Sequence, residues 1–293
     1  MKKLKIVAVA VAAFALAAFV LAGCSSGGAA SSSSSASASS SSTASSSASA
    51  SSTAASENYT LTVGFDAEYP PYGFVGDDGK YTGFDLDLAQ AVCDERGWTF
   101  KAEPIDWDAK DALLNSGTIN CIWNGFTMEG REGNYAFSEP YMLNEQVIVV
   151  KKGSGIDALS GLAGKTVMTQ ADSAALEVLN DADGQKALAD TFASLQTIGD
   201  YNNAFMQLDS GMVDAVACDL SIAQYQIAAN PDKYVKLDDA LSSEHYAVGF
   251  AKNDSDTAAK VTETLKALDK SGKVKELCEK YAQYGMDYAN WVL

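Results

Sequence analysis

The sequence predicts an α/β fold in which parallel β-sheets carry helices on both faces. Short strand-like runs alternate with helical patterns over most of the chain, which is the pattern of repeated strand–helix–strand units. The run 147–150 is apolar without interruption, as is typical of a strand that is covered on both faces. Residues 57–293 suffice for one large domain or two small ones.

The first half of this region predicts three strands and two helices. Alternation places Leu61, Val63 and Phe65 on one face of the first strand. Asp85 is predicted to cap the first helix, and Gly97 to end it. The predicted strands are 60–65, 99–103 and 119–123, and the second helix is 110–115.

The second half repeats the alternation after the strand at 147–150. Its predicted strands are 165–169, 195–198, 213–217 and 246–251. Its predicted helices are 174–179, 203–208, 221–228, 257–270 and 274–284. Ligands of such sheets bind beyond the carboxyl ends of the strands, and unusual polar and aromatic residues collect at those ends here.

The amino terminus has the pattern of a secretory signal. Lys2, Lys3 and Lys5 precede an apolar run at 6–22 and a small-residue site before Cys24. The apolar run is slightly short of the ~20 residues that span a bilayer. An uncleaved membrane anchor is the alternative, and either interpretation puts the rest of the chain outside the cytoplasm.

Residues 25–56 consist only of Ser, Ala, Gly and Thr, so they bury too little apolar surface to fold. They predict a flexible spacer with a mean reach of roughly 30 Å. The Leu-Ala-Gly-Cys ending before this spacer resembles the lipobox of bacterial lipoproteins. That resemblance implies removal of residues 1–23 and lipidation of Cys24, with palmitate in its anchor.

Composition excludes several classes of partner. The formal net charge is −17, and no cluster of Lys and Arg interrupts this acidity, which argues against nucleic acid and anionic lipid. No Cys-x-x-Cys pair and no His, Cys and carboxylate cluster has the spacing of a metal site. The sequence therefore predicts neither a metal nor a cofactor.

Four cysteines follow Cys24, and their even number permits disulfides outside the cytoplasm. Cys93 and Cys278 lie in helical patterns and Cys121 in an apolar strand, so buried free thiols are the favoured interpretation for these and for Cys218. A Cys93–Cys278 disulfide is the alternative.

The residues at the predicted strand ends suit a zwitterionic ligand. Arg131 can hold a carboxylate through two charge-assisted hydrogen bonds, and Asp219 can accept from an ammonium group. Backbone N–H groups at the helix start near Ser173 add donors. Tyr69 and Trp107 can sandwich the remainder of the ligand.

Each of these residues also has a purely structural interpretation. Asp219 precedes a helix, so capping that helix would by itself explain its presence. Arg131 can pair on the surface with Glu129 or Glu132. Asp66, beside the Pro-Pro loop, can be a turn former, and the two aromatic residues can be ordinary partly buried side chains.

Four motifs in order resemble family 3 solute-binding proteins, the extracellular receptors of polar amino-acid ABC importers. They are Gly-Phe-Asp-Ala-Glu-Tyr-Pro-Pro-Tyr at 64–72, Gly-Phe-Asp-Leu-Asp-Leu-Ala at 83–89, Trp-Asn-Gly-Phe-Thr at 123–127 and Phe-Ser-Glu-Pro-Tyr at 137–141. The resemblance runs from about Tyr59 to the end of the chain. It implies a two-lobed clamp of the type II periplasmic-binding-protein class with a ligand cleft between the lobes. Lobe one is then 58–141 with 246–293, lobe two is 146–242, and the hinges lie near 142–145 and 243–245.

The resemblance also implies roles for individual residues. Arg131 matches the arginine that holds the ligand carboxylate, Asp219 the aspartate that takes the amino group, and Ser173 a hydroxyl residue at a helix start. Tyr69 and Trp107 match aromatic walls, while Gly125 and Thr127 match the pocket floor. The complete predicted set is Asp66, Tyr69, Trp107, Gly125, Thr127, Arg131, Ser173 and Asp219.

Two departures from the family pattern bear on this site. The segment from Gly125 to Arg131 is one residue shorter than the common spacing, which affects the register of Thr127 against a carboxylate. Asp172 replaces the usual glycine before Ser173, and its charge would repel a ligand carboxylate unless the side chain turns away.

The function that these expectations describe is a monomeric receptor, lipid-anchored on the outer face of the membrane of a Gram-positive cell. It captures a polar L-amino acid and delivers it to the permease subunits of an ABC importer. A dehydratase-like enzyme and a sensor receptor are the alternatives. The only histidine, His245, falls in a predicted hinge, and nothing near Cys218 would activate it as a nucleophile.

The identity of the amino acid stays open. Asp66 and Glu68 favour a basic or amide side chain, whereas Asn124, Gln170 and Cys218 suit a neutral polar one.

Overall fold

The computed structural model describes residues 59–293. The predicted signal sequence, lipidated cysteine and spacer therefore lie outside the described residues. Within 59–293, none of the helices combines the length and the apolar character that crossing a membrane requires.

Fourteen strands form three sheets in this range. In chain order they are β1 (Thr60–Phe65), β2 (Glu68–Tyr69), β3 (Gly73–Val75), β4 (Tyr81–Thr82), β5 (Thr99–Pro104), β6 (Cys121–Ile122), β7 (Tyr135–Phe137), β8 (Met142–Lys151), β9 (Thr166–Gln170), β10 (Ser194–Ile198), β11 (Ala215–Asp219), β12 (Tyr234–Lys236), β13 (Ser242–Tyr246) and β14 (Gly249–Ala251). The first sheet has the order β5-β1-β6-β14-β7, and the second has the order β10-β9-β11-β8-β12 with β13 also paired to β8. The small third sheet is β2-β3-β4.

Eight α-helices accompany the strands. They are α1 (Phe84–Arg96), α2 (Lys110–Asn115), α3 (Ala174–Asn180), α4 (Lys186–Ala189), α5 (Tyr201–Ser210), α6 (Leu220–Ala229), α7 (Ser255–Lys270) and α8 (Lys273–Lys280). Short 3₁₀ turns occur at Trp107–Ala109, Leu159–Leu162, Ala282–Tyr284 and Tyr288–Asn290. We call the first sheet with α1, α2, α7 and α8 the first lobe, and the second sheet with α3 to α6 the second lobe.

The sheets are mixed rather than parallel throughout, which corrects the sequence prediction. β5, β1 and β6 are parallel neighbours, as are β10, β9 and β11. β8 runs antiparallel to β11, β12 and β13, and β14 runs antiparallel to β6 and β7. The antiparallel strands enter their sheets without the helical crossover that a parallel neighbour requires, so their direction is reversed.

The chain passes between the two sheets at β8 and again between β13 and β14. The two segments predicted as hinges pair with each other here, Leu143 opposite His245 and Asn144 opposite Glu244. The strand predicted at 246–251 ends correctly at Ala251 but starts too early, because Tyr246 ends β13 in the second sheet and β14 in the first sheet begins at Gly249. The lobe boundaries and the hinge role of these segments stay predictions.

Asp85 is not the cap of α1, contrary to the sequence prediction. Gly83 occupies the N-cap position, and Asp85 lies in the first turn with a completely buried side chain. Its carboxylate accepts from the Gly125 N–H at 2.7 Å and from the Tyr141 hydroxyl at 2.8 Å. Asp85 thus stabilises the loop after β6 through Gly125, and it does not cap the start of α1.

The alternating and the continuous apolar runs are buried as predicted. Leu61, Val63 and Phe65 are fully buried under α1 in the largest core cluster, and every residue of 147–150 is fully buried. Cys93, Cys121, Cys218 and Cys278 are all buried free thiols, as the sequence favoured, and the alternative Cys93–Cys278 disulfide does not form.

Candidate ligand-binding site

A cavity of about 270 Å³, measured to its open mouth, lies where the carboxyl ends of strands from both sheets meet. Its walls come from the first lobe through the residues after β1, β5 and β6, and from the second lobe through the ends of β9 and β11. The lining residues are Tyr69, Trp107, Asn124, Gly125, Thr127, Arg131, Gln170, Ser173, Ala174 and Asp219. Every predicted site residue except Asp66 is among them.

Arg131 is the cation of this cavity, and it is only 5 % exposed. Its Nη1 donates to the Thr127 carbonyl at 3.2 Å and its Nε to Glu177 Oε1 at 3.2 Å. Nη2 lies 2.9 Å from the same Glu177 oxygen but has no hydrogen-bond partner among the described residues. The partner of Arg131 is therefore Glu177 of the second lobe, and neither Glu129 nor Glu132, and one buried donor remains for another acceptor.

Asp219 ends β11 and occupies the N-cap position of α6, but its side chain makes no capping hydrogen bond. Its Oδ1 accepts instead from Gln146 Nε2 at 2.7 Å, Asn144 Nδ2 at 2.9 Å and the Tyr246 hydroxyl at 2.7 Å. Burial raises the pKa of this carboxyl. The side chain is thus a buried acid held beside the cavity, which the cap interpretation does not explain.

A second buried acid, Glu244, adjoins Asp219 and was missed by the sequence analysis. Glu244 Oε1 accepts from Thr127 Oγ1 at 2.8 Å and from the same two amides, Asn144 at 2.8 Å and Gln146 at 2.7 Å. Burial, followed by the charge of Asp219, raises the pKa of Glu244 to about 7. The two carboxylates therefore share two amide donors at the point where the chain passes between the sheets.

The signal that could have found these residues is alternation. Asn144 and Gln146 are buried and two positions apart on the strand that continues as the apolar run 147–150, so both point to the same face. Glu244 and Tyr246 repeat that spacing on the partner strand. Polar residues at every second position of a buried strand indicate a polar cluster.

Gly125 forms the floor of the cavity in a conformation that favours glycine, with φ +57°. A Cβ added here would lie 3.0 Å from the Tyr246 ring and 3.1 Å from the Tyr69 ring. The buried Asp85 carboxylate fixes the Gly125 N–H, so the floor is held from below. The one-residue shortening before Arg131 is accommodated by a turn in which the Arg131 N–H donates to the Met128 carbonyl at 3.0 Å.

Ser173 is the N-cap of α3. Its Oγ accepts from the Leu176 N–H at 3.2 Å and donates to the Gln170 carbonyl at 2.8 Å. The hydroxyl lines the cavity and caps the helix at the same time, so both interpretations of this residue fit its position.

Asp66 lies beside the cavity, in a neighbouring acidic depression that also contains Glu68 and Trp107. Its carboxylate accepts from the Glu68 N–H at 2.8 Å and from Gln170 Nε2 at 2.7 Å. Burial raises the pKa of Asp66 to about 6. Asp66 therefore reaches across to the second lobe and does not line the cavity itself.

The thiol and the imidazole nearest this site are not arranged for nucleophilic catalysis. Burial raises the pKa of the Cys218 thiol well above its usual range, so it stays protonated. His245 Nδ1 is 2.6 Å from Glu129 Oε1, and the cavity lining does not include either residue. Within 59–293 no cluster of three or more His, Cys, Asp and Glu side chains has an arrangement that could hold a metal ion.

Comparisons with known proteins place this chain among relatives of one family. The family model described as bacterial extracellular solute-binding proteins, family 3, matches residues 61–284. The L-cystine-binding protein TcyJ of Escherichia coli (strain K12) is 29% identical over 235 residues, covering 79% of this chain and 85% of TcyJ.

Two solved structures have similar folds. An ABC uptake transporter substrate-binding protein from Streptococcus pneumoniae with bound histidine is 37% identical, with a TM-score of 0.73 over 77% of this chain and 93% of that one. The ancestral amino acid-binding protein AncCDT-1, a precursor of cyclohexadienyl dehydratase, is 30% identical, with a TM-score of 0.68 over 76% of this chain and 95% of that one.

Proposed function

This chain belongs to the bacterial extracellular solute-binding proteins of family 3, and we propose that it captures a polar L-amino acid for an ABC importer. Its fold is the two-lobed α/β clamp of the type II periplasmic-binding-protein class, as the sequence predicted. The single observation that carries the proposal is the pairing of charges in one cavity. A buried guanidinium of the first lobe and a buried carboxylate of the second lobe both face it.

In the proposed complex, Arg131 binds the ligand carboxylate and Asp219 binds its ammonium group. The unpartnered Nη2 of Arg131 supports the first contact, because a buried donor without an acceptor costs free energy. Tyr69 and Trp107 form the walls, and Gly125, Thr127 and Ser173 contribute the remaining polar contacts. An amino acid held this way touches both lobes and shifts the open–closed equilibrium toward the closed form.

The ligand side chain is polar in this proposal. Asp66 and Glu68 lie in the acidic depression beside the cavity, which supports a side chain ending in nitrogen. Asn124 and Gln170 in the lining suit a neutral polar group equally well. One relative is an L-cystine-binding protein and another is solved with bound histidine, so relatives of this chain bind amino acids whose side chains differ in chemistry.

The receptor is further proposed to be a monomer anchored through lipidated Cys24 on the outer face of a Gram-positive membrane. The basic, apolar and small-residue order of the first 24 residues supports export, and the Ser/Ala spacer supports a tether. Tethering raises the effective concentration of the receptor near its permease partner.

A dehydratase-like enzyme is the second candidate function. The similarity to AncCDT-1 favours it, whereas the protonated, buried Cys218 thiol argues against a nucleophilic role in the cavity. A sensor receptor would bind the same compound in the same way. An enzyme differs from either kind of receptor because it changes the bound compound chemically.

A thermal-shift screen of the purified protein against the twenty amino acids and L-cystine tests the proposal. We expect at least one polar L-amino acid to raise the unfolding temperature, because a ligand that binds only the folded state stabilises it. Chemical conversion of that compound during incubation would favour the enzyme. A screen in which none of these compounds stabilises the protein would contradict the amino-acid proposal.

Two substitutions test the site by calorimetric titration with the amino acid found. Arg131→Ala and Asp219→Ala should each weaken binding by at least about 100-fold, since each leaves a ligand charge buried without its partner. The matched controls are Arg96→Ala, which removes the other described arginine side chain, and Asp209→Ala, which removes an exposed carboxylate. Normal binding by either site variant would show that the residue is not a ligand contact.

A further inference from the structure

Asp172 stands in an unusual backbone conformation between the two lobes. It is the only non-glycine residue among 59–293 with positive φ, at +58°. An L-residue pays a conformational cost in this left-handed region, and glycine does not. A side chain held here despite that cost requires a compensating contact.

Lys110 of the first lobe makes that contact. Its Nζ lies 2.7 Å from Asp172 Oδ2 and 3.4 Å from the Asp172 carbonyl oxygen. Lys110 is only 3 % exposed, and its ammonium also lies 5.2 Å from the centre of the Trp107 ring. The Asp172 side chain therefore turns toward this lysine and away from the cavity, which removes the repulsion that the sequence raised for a ligand carboxylate.

Trp107 adds a third contact across the same gap. Its indole Nε1 donates to the Asp172 carbonyl at 3.2 Å. Trp107 is also a wall of the cavity, so the contact ties a wall of the first lobe to the segment that leads into Ser173 and α3 of the second lobe.

These contacts exist only when the lobes are close together. A buried ammonium without a partner is strongly disfavoured, and Asp172 is the one carboxylate within ion-pair distance of Lys110 among the described residues. Separating the lobes breaks the ion pair and both hydrogen bonds to the carbonyl. The free energy of these contacts therefore favours the closed form over the open form.

We propose that Lys110, Asp172 and the Trp107 indole form an interlobe latch that holds the clamp closed and slows ligand release. Lys110 and Asp172 act as positioning residues, since neither lines the cavity. The proposal rests on the function proposed above, because a latch on ligand release presupposes that a ligand is bound.

A second ion pair between the lobes, Arg131 with Glu177, is less suited to testing closure separately from ligand binding. Its cation is the residue proposed to bind the ligand carboxylate. Changing that pair would alter ligand contacts and closure together. Lys110 and Asp172 can be changed without removing a ligand contact.

The experiment measures ligand release from the full-length purified protein by stopped-flow fluorescence. Its probe is whichever of the twenty amino acids and L-cystine raises the unfolding temperature of the wild-type protein most. Lys110→Met, Asp172→Asn and the double variant should each release the probe about tenfold faster, with association within about twofold of wild type. The double variant should release it no faster than the single ones, because both remove the same ion pair.

Asp172→Gly separates the latch from a merely structural role. Glycine relieves the positive-φ cost, and in the ligand-free protein the lobes can open and return the Lys110 ammonium to water, so this variant should unfold within a few degrees of wild type. It should nevertheless release the probe about tenfold faster. Lys266→Met is the control for lost charge, because Lys266 pairs with Glu139 inside the first lobe.

Two outcomes would overturn the latch. Release at the wild-type rate from Lys110→Met and Asp172→Gly, in a protein that binds its probe, would show that the ion pair does not hold the closed form. A double variant whose effects simply add would show that the two residues act separately. A wild-type protein that binds none of the compounds would instead overturn the proposed function, and the role in ligand release with it.

Discussion

At the scale of single residues, the unexpected feature is the carboxylate pair formed by Asp219 and Glu244. Both side chains are buried and take hydrogen bonds from the same two amides, Asn144 and Gln146. Two like charges this close in a buried site favour the protonation of one of them. The site thus contains an acid whose charge depends on pH near neutrality.

The stability of the ligand-free protein should fall as pH rises from about 5 to about 7. The pKa of Glu244 is about 7 in the folded protein against an ordinary value of 4.5, so the folded state binds the proton more tightly than the unfolded state. Above the ordinary pKa, folding must either take up a proton at Glu244 or bury its charge, so the free energy of unfolding falls, and the full loss is reached above the folded pKa. The pKa values of Asp66, about 6, and Asp85, about 7, act in the same direction.

Glu244→Gln should remove part of that dependence. Glutamine keeps the acceptor oxygen and loses the charge, so this variant should be more stable than wild type at pH 8 by on the order of 2 kcal/mol. Urea unfolding at pH 5, 6, 7 and 8 measures the difference, with the exposed Glu279→Gln as control. Parallel pH profiles for Glu244→Gln and wild type would mean that Glu244 is charged in the folded state at all these pH values.

At the scale of elements, α3 concentrates three roles in one helix start. Ser173 caps it, Ala174 lines the cavity, and Asp172 joins it to the first lobe. Glu177, one turn further, reaches Arg131. A movement of this helix therefore changes the cavity wall and the contacts between the lobes at the same time.

Two changes at Ser173 should separate capping from ligand binding. Ser173→Ala removes the cap acceptor and should cost about 1 kcal/mol of unfolding free energy. Ser173→Asp keeps a good cap but places a negative charge at the cavity, so stability should stay near wild type while affinity drops at least about 100-fold. Denaturant unfolding and titration calorimetry measure the two quantities.

The control is Asp254→Ala, which removes the cap of α7 in the first lobe. It should lose similar stability without affecting affinity. Wild-type affinity in Ser173→Asp would show that Ser173 caps α3 but does not contact the ligand.

Elements with a clear period were predictable from the sequence, and those without one were not. β1 was placed exactly by alternation, and β9 and β11 within two residues, because half-buried and fully buried strands leave a strong apolar signal. The two- and three-residue strands β2, β3 and β4 are too short to carry a period. The strand predicted at 246–251 starts too early, because its first residue, Tyr246, is the last residue of β13 in the second sheet.

The candidate site was predictable to the same degree and for a related reason. Arg131 and Asp219 each follow a strand, at the end where ligands of such sheets bind, and the family resemblance implied that both sheets face one cleft. Glu244 and Asn144 meet only because β8 and β13 pair in one particular register. Alternation can mark the polar face of each strand, but the register that decides which residues meet depends on the packing of both lobes.

At the scale of the whole molecule, the site belongs to neither lobe alone. Arg131, Trp107 and Gly125 come from the first lobe, and Ser173 and Asp219 from the second. The cluster of Asn144, Gln146 and Glu244 lies on the strands by which the chain passes between them. Ligand binding and lobe closure are therefore one coupled event in the proposed mechanism.

Hydrogen exchange should show that coupling. At a ligand concentration of 100 Kd, the closed form gains about 2.7 kcal/mol, so amides that exchange through opening should slow by about 100-fold. The slowing should appear both in 125–131 and in α3, measured by mass spectrometry of peptides, with α7 as the internal reference. Protection confined to one lobe would contradict a ligand that bridges both.

The four buried thiols have a consequence for how the protein withstands oxidation outside the cytoplasm. Burial raises the pKa of Cys93 and Cys278 to about 12 and that of Cys121 and Cys218 well above its ordinary value, so none of these four is a thiolate in the folded protein. The unfolded chain offers all four, and they can pair wrongly by thiol–disulfide exchange. The thiols are therefore protected from oxidation only after the exported chain has folded. This protection lasts as long as the native state resists unfolding.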